Sequence, residues 1–450
     1  MKPLQMPMFS PETEWIPPTH LPDLKDHKEI AIDLETRDPG LKSSGSGSVN
    51  GNGEVVGIAV AVEGWSGYFP IAHEGGGNMD RALVLDWFEE VLHTDATKIF
   101  HNAMYDVSWI RSMGFYIRGG VIDTLIAASL IDENRWGYAL NALGKQYVGV
   151  GKNEKILNDA AKSWGIDPKA DMWRLPAPLV GEYAEQDAVL TLRLWHALQR
   201  EISSQDLWDV FNLETNLFPC LIDMKFKGVR VDAEKANLLK QELIKEEKNI
   251  YRGIRKLIGF DVEIWAAASI AKAFDEVKLP YDRTEKGAPS FTKNFLSTHP
   301  HELPKAIANA REINKAHTTF IDTIIKHEHN GRIHADINQI RSDDGGTVTG
   351  RFSYSNPNLQ QIPARNKDLG PKIRALFIPE KNHTWGCFDY SQQEPRIVVH
   401  FASLLKLEGS QTIVDQYNAG EADFHQMIAD MAGIERKQAK TINLGLMYGM

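Results

Sequence analysis

Three apolar, β-rich segments near the start of the chain precede a series of helical patterns, and this order restricts the fold more than any other feature. The segments are EIAIDLET at 29–36, VVGIAVAV at 55–62 and GYFPIA at 67–72. They predict three strands of an antiparallel meander, with the Gly/Ser tract at 45–53 as a flexible hairpin tip. Helical patterns follow at 80–93, 103–113, 122–132 and 180–201. Strands followed by helices predict one mixed α/β domain that ends near residue 205.

The rest of the chain begins with helices. An amphipathic helix is predicted at 206–228, then a short strand at 228–232 and a long, charged helix with one apolar stripe at 233–258. Such a helix is either a solvated arm or part of a subdomain that grips nucleic acid. From 331 onward the pattern favours strands and irregular loops, and helix returns from about 422 to the end.

Composition and charge exclude several classes of protein. The chain is 42% hydrophobic and 24% charged, as in globular proteins, and lacks the long apolar run that a membrane helix needs. The N-terminus has no basic region followed by an apolar stretch, so we expect no signal peptide. Cys220 and Cys387 are expected to act as small hydrophobes in a reducing cytoplasm. Of the net charge of −10, the first 200 residues carry −9, so the rest of the chain is nearly neutral. The net charge therefore excludes neither a nuclease nor a polymerase.

Acidic residues of the first part suggest a metal site. Asp33 and Glu35 are two apart on a predicted strand, so their carboxylates point to one face. Two such acids repel unless cations lie between them, as in a two-metal site, and a solvated strand edge is the alternative. The further candidates are HNAMYD at 101–106, Tyr183 with Asp187, Asp123 and Glu185. The tyrosine and the aspartate four residues after it share one helix face, but composition does not choose among the acids.

The ordered set DxE, HNAxxD and YxxxD resembles the DEDD-type 3′–5′ exonucleases of the RNase H-like fold, in their tyrosine-bearing subclass, over roughly 25–200. The metal ligands that this resemblance implies are Asp33, Glu35, Asp106 and Asp187. It also implies that Tyr183 orients the attacking water and that Asn102 contacts the substrate strand. Two Mg²⁺ ions, with Mn²⁺ as a substitute, would neutralise the leaving oxygen, and the substrate would be a single-stranded DNA 3′ end.

Three polar segments follow in the second part. TGRFSYSNPNLQQIPARN at 349–366 is dense in planar donors that suit phosphates and base edges, and a surface loop is the alternative. WGCFDYSQQEPRIVVH at 385–400 predicts an apolar strand that ends near Asp389. Taken by itself, Asp389 indicates only an acid at the end of a strand. At four-residue spacing on a predicted helix stand Arg436, Lys440, Leu444 and Tyr448. This face can clamp a triphosphate and stack a base, or it belongs to an amphipathic helix with a basic first turn.

These segments together resemble the family A DNA polymerases. TGRFSYSNPNLQQIP is similar to the family signature TGRxSSxxPNLQNIP, DYSQQEPR to DYSQIELR, and RKQAKTINLGLMYG to RxxxKxxNFGxxYG. GRIHADINQ and the pair Arg311 and Lys315 also match in order, so the resemblance covers about 206–450. The implied fold class is an α/β RNase H-like exonuclease domain at 1–205 followed by an α+β right-hand polymerase domain at 206–450. The implied parts of the latter are a helical thumb at about 233–330, a palm at about 331–405 and the start of the fingers at about 406–450.

The resemblance also implies residue roles. Asp389 and the Tyr390 carbonyl would hold the catalytic metals, and Glu394 would exclude a ribose 2′-hydroxyl. The residues implied to bind the incoming nucleotide are Glu394, His425, Arg436, Lys440, Leu444 and Tyr448. Those implied to contact primer–template DNA are Arg351, Asn358 and Gln360.

Several positions depart from the family pattern. Leu444 replaces the usual Phe or Tyr, while Gln393 and Pro395 replace Ile and Leu. The sequence holds no His-Asp-Glu tripeptide, which carries a second catalytic Asp in the family, and ends at Met450. We therefore expect a fragment, a stand-alone exonuclease with a DNA-binding arm, or the N-terminal subunit of a split polymerase. The expected partners are primer–template DNA, dNTPs, and a C-terminal polymerase fragment or a processivity factor, and no membrane is expected as a partner. The expected location is the cytoplasm, which is that of the host if the protein is phage-encoded.

Overall fold

A five-stranded mixed sheet organises the first part of the chain. The computed structural model describes residues 11–343, 345–364, 366–420 and 422–450. The strands are β1 (Glu29–Arg37), β2 (Glu54–Val62), β3 (Trp65–Pro70), β4 (Thr97–Phe100) and β5 (Val121–Asp123). Their order is β3-β2-β1-β4-β5, with β1 antiparallel to β2 and parallel to β4. The three strands predicted as a meander are present, and two parallel strands extend the sheet.

Helices cover both faces of this sheet. They are α1 (Leu41–Ser44), α2 (Gly47–Asn50), α3 (Arg81–Leu92), α4 (Ala103–Ser112), α5 (Thr124–Ile131), α6 (Leu140–Leu143), α7 (Lys155–Trp164) and α8 (Pro178–Ser204). Along β1, Ile30, Ile32 and Leu34 belong to the core shared with α3 and α4. Ala31 belongs to the core on the opposite face, which α8 covers. Because side chains alternate along a strand, the two acids predicted on β1 lie on the α8 face.

The Gly/Ser tract between β1 and β2 does not form the flexible hairpin tip predicted for it. The tract itself holds the short helix α2, and α1 directly precedes it. Asp38 Oδ1 accepts a hydrogen bond from the Gly47 amide at 3.0 Å, and Asn50 Nδ2 donates to the Gly45 carbonyl at 3.2 Å. Side-chain to backbone bonds of this kind fix a loop that composition alone predicts to be flexible.

The chain continues through a helical part with three small sheets, β6-β10-β9, β11-β12 and β7-β8. Its elements are α9 (Trp208–Lys227), β6 (Val229–Arg230), α10 (Ala233–Ile258), α11 (Ala267–Glu276), β7 (Asp282–Arg283), β8 (Pro289–Ser290), α12 (Lys293–Thr298), α13 (Glu302–Lys315), α14 (Asp322–His327), β9 (Glu328–His329), β10 (Arg332–Ile333), β11 (Asp336–Asn338), β12 (Ser353–Ser355) and α15 (Leu369–Arg374). The apolar stripe of α10 packs on α13 through Leu243 and Ile313, so this helix is not a solvated arm. The predicted domain boundary at residue 205 falls between α8 and α9 and stays a prediction.

Residues up to Pro379 form one compact unit and residues from Glu380 onward form a second. The helices of the second unit are α16 (Gln393–Leu404), α17 (Ser410–Asn418), α18 (Phe424–Ala432) and α19 (Arg436–Met447). Helix therefore begins well before the predicted position near 422. The strand predicted at 385–389 is also wrong, because this segment is irregular. A strand forms only where another strand pairs with it, and no described residue of this unit does so.

Both cysteines are free and exposed, so the expectation that they pack as small hydrophobes is wrong. Cys220 follows Pro219 on α9. Among the residues that the structure describes, no helix combines the length and the apolar character required to cross a membrane. The N-terminal segment, for which no signal peptide is expected, lies largely outside the described residues, which begin at 11.

Gly57 offers a test of the packing around β1. It pairs with Glu35, and a Cβ added to it would lie 1.9 Å from the Tyr68 hydroxyl oxygen. We expect Gly57→Ala to lower the free energy of unfolding by about 1–3 kcal/mol through overpacking. Gly253→Ala is the control, because no heavy atom lies within 4 Å of its added Cβ in α10 and alanine favours helix. Urea unfolding followed by circular dichroism should show a loss only for Gly57→Ala, and equal behaviour of the two variants would contradict this packing.

Candidate functional site

Three carboxylates meet where α8 crosses β1. Asp33 and Glu35 come from the strand and Asp187 from the helix. One oxygen atom from each lies within 4.8 Å of the others. Glu35 and Asp187 are buried, and Asp33 is partly exposed. We call these residues the carboxylate cluster.

The atoms of the carboxylate cluster fit a divalent cation. Asp187 Oδ1 is buried, and no hydrogen-bond donor from the described part of the chain reaches it. A buried carboxylate oxygen without a partner is unfavourable, and a cation relieves this cost. Oxygen ligands converging from carboxylates are those that Mg²⁺ and Ca²⁺ take in proteins.

Asp106, the fourth predicted ligand, lies beside the carboxylate cluster but outside the group of three. It is in the first turn of α4, buried, and its Oδ1 accepts a hydrogen bond from the Leu34 amide at 3.0 Å. The pairing of β1 with β4 ends at Ala31, so β4 does not pair with Leu34. The Asp106 side chain accepts the hydrogen bond of the Leu34 amide instead. Burial, and then the charge of Asp33, raise the pKa of Asp106 well above its usual range.

Burial also shifts the protonation of the carboxylate cluster itself. Burial raises the pKa of Asp33 to about 7. The charge of Asp187 contributes to this rise, and the charge of Lys152 opposes it. Burial raises the pKa of Glu35 well above its ordinary value, and Asp33 adds to this rise. The cluster therefore resists full ionisation unless further positive charge is supplied.

Tyr183 lies on α8 one turn before Asp187, as the four-residue spacing predicts. Its side chain is buried, and its hydroxyl lies 3.3 Å from Lys152 Nζ. Burial, and then the charge of Asp187, raise the pKa of this phenol well above its usual range. The hydroxyl is therefore protonated at neutral pH and can donate a hydrogen bond.

Lys152 is a site residue that sequence reasoning missed. It lies in the loop before α7, and its Nζ donates to Asp187 Oδ2 at 2.5 Å. Burial works against its charge, but Asp187 and Asp33 outweigh it, so the pKa of Lys152 is raised. The only signal in the sequence is the pair Gly149 and Gly151 just before it, which predicts a loop but not the direction of the side chain.

The structure separates the two acids that composition left open. Asp123 Oδ1 accepts the Asn102 amide at 2.9 Å and so holds the start of α4. Glu185 accepts the Trp15 indole at 3.0 Å and the Ser66 hydroxyl at 2.6 Å. Both acids are used by structural hydrogen bonds outside the carboxylate cluster.

Asn102 lines a cavity of about 690 Å³. It is the residue directly before α4 and lies in the left-handed region with φ of 69°, which asparagine tolerates better than most residues. Residues from later in the same unit, among them Asn356, Lys225 and Asp336, complete the lining. The last two form a 3.0 Å ion pair, and Lys225 is buried. The cavity is therefore lined both by Asn102, which is predicted to contact DNA, and by polar side chains from the following part of the chain.

The residues predicted to contact primer–template DNA lie in an exposed loop. Asn358 Oδ1 accepts the Gln360 amide at 3.0 Å and so caps a short 3-10 turn. The Gln360 side chain donates to the Phe352 carbonyl at 3.0 Å, and Arg351 is exposed. Position 365 of this motif lies outside the described residues.

Helix α19 of the second unit carries Arg436, Lys440 and Leu444, as the spacing predicts. Tyr448 caps this helix, and its hydroxyl donates to Glu394 Oε1 at 2.6 Å. Glu394 lies in the first turn of α16. Two of the predicted nucleotide-binding residues, Tyr448 and Glu394, therefore contact each other within this unit.

One carboxylate acceptor and a buried histidine shape this region. Asp423 Oδ2 accepts both Nε and Nη2 of Arg436 at 2.8 Å, a partner that the motifs did not indicate. His425 is buried and lies 3.2 Å from Asn443 Nδ2 through its Nδ1. Burial, with the charge of Arg436 adding, lowers the pKa of His425, so its ring is neutral at pH 7.

Gln392 is a further residue that the motifs did not single out. Its Oε1 accepts the Phe424 amide at 3.0 Å and the Tyr417 hydroxyl at 3.3 Å, which fixes the start of α16. Asp389 and Tyr390 lie just before it in an exposed, irregular segment. Within the described residues, no cluster of three candidate metal ligands forms around them.

Comparison with known families shows two matches. The family model described as DNA polymerase family A matches residues 233–450, and the one described as 3′-5′ exonuclease matches residues 19–203. The second match contains every member of the carboxylate cluster, and the first contains α19.

Individual proteins show the same likeness. The DNA-directed DNA polymerase of Pseudomonas phage M6 is 38% identical over 99% of this chain and 71% of its own length. DNA polymerase DpoZ of Salmonella phage PMBT28 is 30% identical over 95% of this chain and 71% of its own. DNA polymerase I of Pseudomonas aeruginosa is 30% identical over 96% of this chain, and the match covers 47% of the length of that polymerase.

Among solved structures, the POL domain of Pol1 from M. smegmatis in complex with DNA primer-template and dNTP shares the fold. Its TM-score is 0.70 at 21% identity, with 95% of this chain and 69% of that chain covered.

Proposed function

Since this chain belongs to the family A DNA polymerases with a 3′–5′ exonuclease, we propose that the carboxylate cluster removes nucleotides from DNA 3′ ends. The observation that carries this proposal is the convergence of Asp33, Glu35 and Asp187 within 4.8 Å. The predicted fold class, an RNase H-like exonuclease domain followed by a polymerase domain, is confirmed by the family matches.

Hydrolysis of a phosphodiester needs an aligned water molecule and positive charge near the leaving oxygen. Divalent cations, Mg²⁺ by this proposal, would supply that charge when bound. The residues that would hold them are Asp33, Glu35, Asp106 and Asp187. The protonated Tyr183 hydroxyl, at the edge of the carboxylate cluster, would orient the water by donating a hydrogen bond.

The substrate by this proposal is a single-stranded 3′ end. Asn102 stands at the start of α4, in the same helix turn as Asp106, and its exposed amide can bond phosphate or base atoms. The cavity behind it offers polar side chains to the nucleotides that precede the 3′ end.

We further propose that the second unit binds the incoming nucleotide. Arg436 and Lys440 would hold the triphosphate, and Tyr448 would stack near the templating base. The hydrogen bond from Tyr448 to Glu394 would position the Glu394 side chain to exclude a ribose 2′-hydroxyl. Asp389 would hold metal there, and the DNA contacts would be Arg351, Asn358 and Gln360. In extension, the primer 3′-hydroxyl oxygen bonds to the α-phosphorus and pyrophosphate leaves.

The expected setting of this chain is the cytoplasm of a bacterial host, which the phage origin of relatives such as the M6 polymerase supports. A partner that supplies a His-Asp-Glu motif, or a processivity factor, stays a prediction.

Metal removal tests the hydrolytic proposal. We expect excess EDTA to slow degradation of a 5′-labelled single strand by at least about 10³-fold, because the metals provide several kcal/mol of charge stabilisation. Added Mg²⁺ should restore the rate, and Mn²⁺ should replace it. Binding of a fluorescent duplex, measured by polarisation in EDTA, is the control for an intact chain. Degradation that continues unchanged in EDTA would contradict the proposal.

A further inference from the structure

The ammonium of Lys152 contacts one member of the carboxylate cluster, Asp187. Its Nζ is 2.5 Å from Asp187 Oδ2, 3.3 Å from the Tyr183 hydroxyl and 5.1 Å from the centre of that ring. The side chain of Lys152 is only 14% exposed and that of Asp187 only 3%. The Coulombic attraction within an ion pair so shielded from water is stronger than within a pair on the surface.

We propose that Lys152 and a divalent cation compete for Asp187, so that Lys152 weakens cation binding until a DNA phosphate draws the ammonium away. This inference rests on the proposed exonuclease function of the carboxylate cluster. It assigns to Lys152 a positioning role that couples metal loading to the presence of DNA.

Charge explains the competition. The three carboxylates of the cluster repel one another, and one ammonium neutralises one of them. A doubly charged ion bound to the same oxygens would repel that ammonium at short range. Asp187 Oδ1 is free of donors from the described residues and attracts a cation, while the ammonium on Oδ2 opposes it. The ammonium must therefore leave Oδ2 before a cation binds tightly.

The surrounding loop is fixed, but the lysine side chain can move. The Lys152 amide donates to Asn141 Oδ1 at 3.0 Å, and the Asn153 amide donates to Gln186 Oε1 at 2.7 Å. These bonds hold the backbone whatever the side chain does. A lysine has a flexible four-carbon stem and a compact charge, so its ammonium can turn from a carboxylate to an entering phosphate.

The test is Mn²⁺ binding by the full chain without DNA, measured from the electron spin resonance signal of free Mn²⁺. The site in question is the one that the variant Asp33→Asn with Glu35→Gln loses. We expect Lys152→Met to bind Mn²⁺ there at least about tenfold more tightly, because a nearby positive charge is gone. Lys155→Met, which alters an exposed lysine three residues on, should match the parent. Equal or weaker binding by Lys152→Met would overturn the inference.

Failure of the proposed function would look different. In that case the parent would show no Mn²⁺ site that depends on Asp33 and Glu35. The inference fails alone if that site exists but Lys152→Met does not strengthen it.

Thermal unfolding separates competition from simple packing. In EDTA, Lys152→Met should unfold at a lower temperature than the parent, because the carboxylates have lost their counter-ion. In saturating Mn²⁺ this difference should vanish or reverse. An equal loss in both conditions would overturn the inference, because it would make Lys152 a packing residue only.

DNA provides the last arm of the test. An oligonucleotide with a hydrolysis-resistant 3′-terminal linkage should strengthen Mn²⁺ binding more in the parent than in Lys152→Met. Equal strengthening in both would overturn the coupling of metal loading to DNA.

Discussion

Replacing Asp33 and Glu35 together by alanine is expected to slow degradation of DNA 3′ ends by at least about 10³-fold, because hydrolysis loses its charge stabilisation. The two carboxylates provide two of the three oxygens that converge within 4.8 Å. Duplex binding should be nearly unchanged, since the predicted primer–template contacts lie on other elements. The rate is measured by shortening of a 5′-labelled single strand in Mg²⁺.

The fold of this double variant should be intact. Burial raises the pKa of both carboxyl groups, so their ionised forms are unfavourable in the folded state and their removal should not lower the unfolding temperature in EDTA. The matched control is Glu63→Ala with Asp86→Ala, which removes two exposed acids, one from the turn between β2 and β3 and one from helix α3. Degradation at the parent rate by the first variant, or an equal loss in the control, would show that the metal assignment is wrong.

Replacing Lys440 by alanine is expected to weaken dNTP binding by about 10- to 100-fold, because a charge-assisted bond to phosphate contributes about 1.5–3 kcal/mol. Lys440 is exposed on α19, one turn after Arg436, so the two cations face one way. Lys437→Ala removes a neighbouring exposed lysine that is off this face and should leave binding unchanged.

The measurement for Lys440→Ala is titration with a fluorescent dATP analogue in the presence of primer–template DNA. Degradation of single strands should match the parent, since Lys440 belongs to the second unit. A loss of both activities would indicate unfolding, and equal effects of Lys437→Ala and Lys440→Ala would contradict the assigned helix face.

Local periodicity was enough to predict the framework of the carboxylate cluster. Alternation along β1 placed Asp33 and Glu35 on one face, and four-residue spacing on α8 placed Tyr183 beside Asp187. The resemblance of the ordered motifs to the DEDD-type exonucleases then implied that strand and helix meet. The same reasoning predicted the face of α19, since its residues depend only on helix geometry.

Contacts between distant segments could not be read from such patterns. Lys152 reaches Asp187 from a loop 35 residues away, and no periodicity fixes the direction of a loop side chain. Asp423, just before α18, meets Arg436 at the start of α19, 13 residues later, for the same reason. The strand predicted at 385–389 failed because an apolar run specifies a strand only where a neighbour pairs with it.

The central claim, that the carboxylate cluster hydrolyses DNA from its 3′ end, is tested most directly by one gel. The parent chain and Mg²⁺ are mixed with a single strand labelled at its 5′ end and, in parallel, with one labelled at its 3′ end. We predict a ladder of shortening 5′-labelled products and immediate release of the 3′ label as a mononucleotide. Early release of the 5′ label, internal cleavage, or no degradation of either strand would contradict the claim.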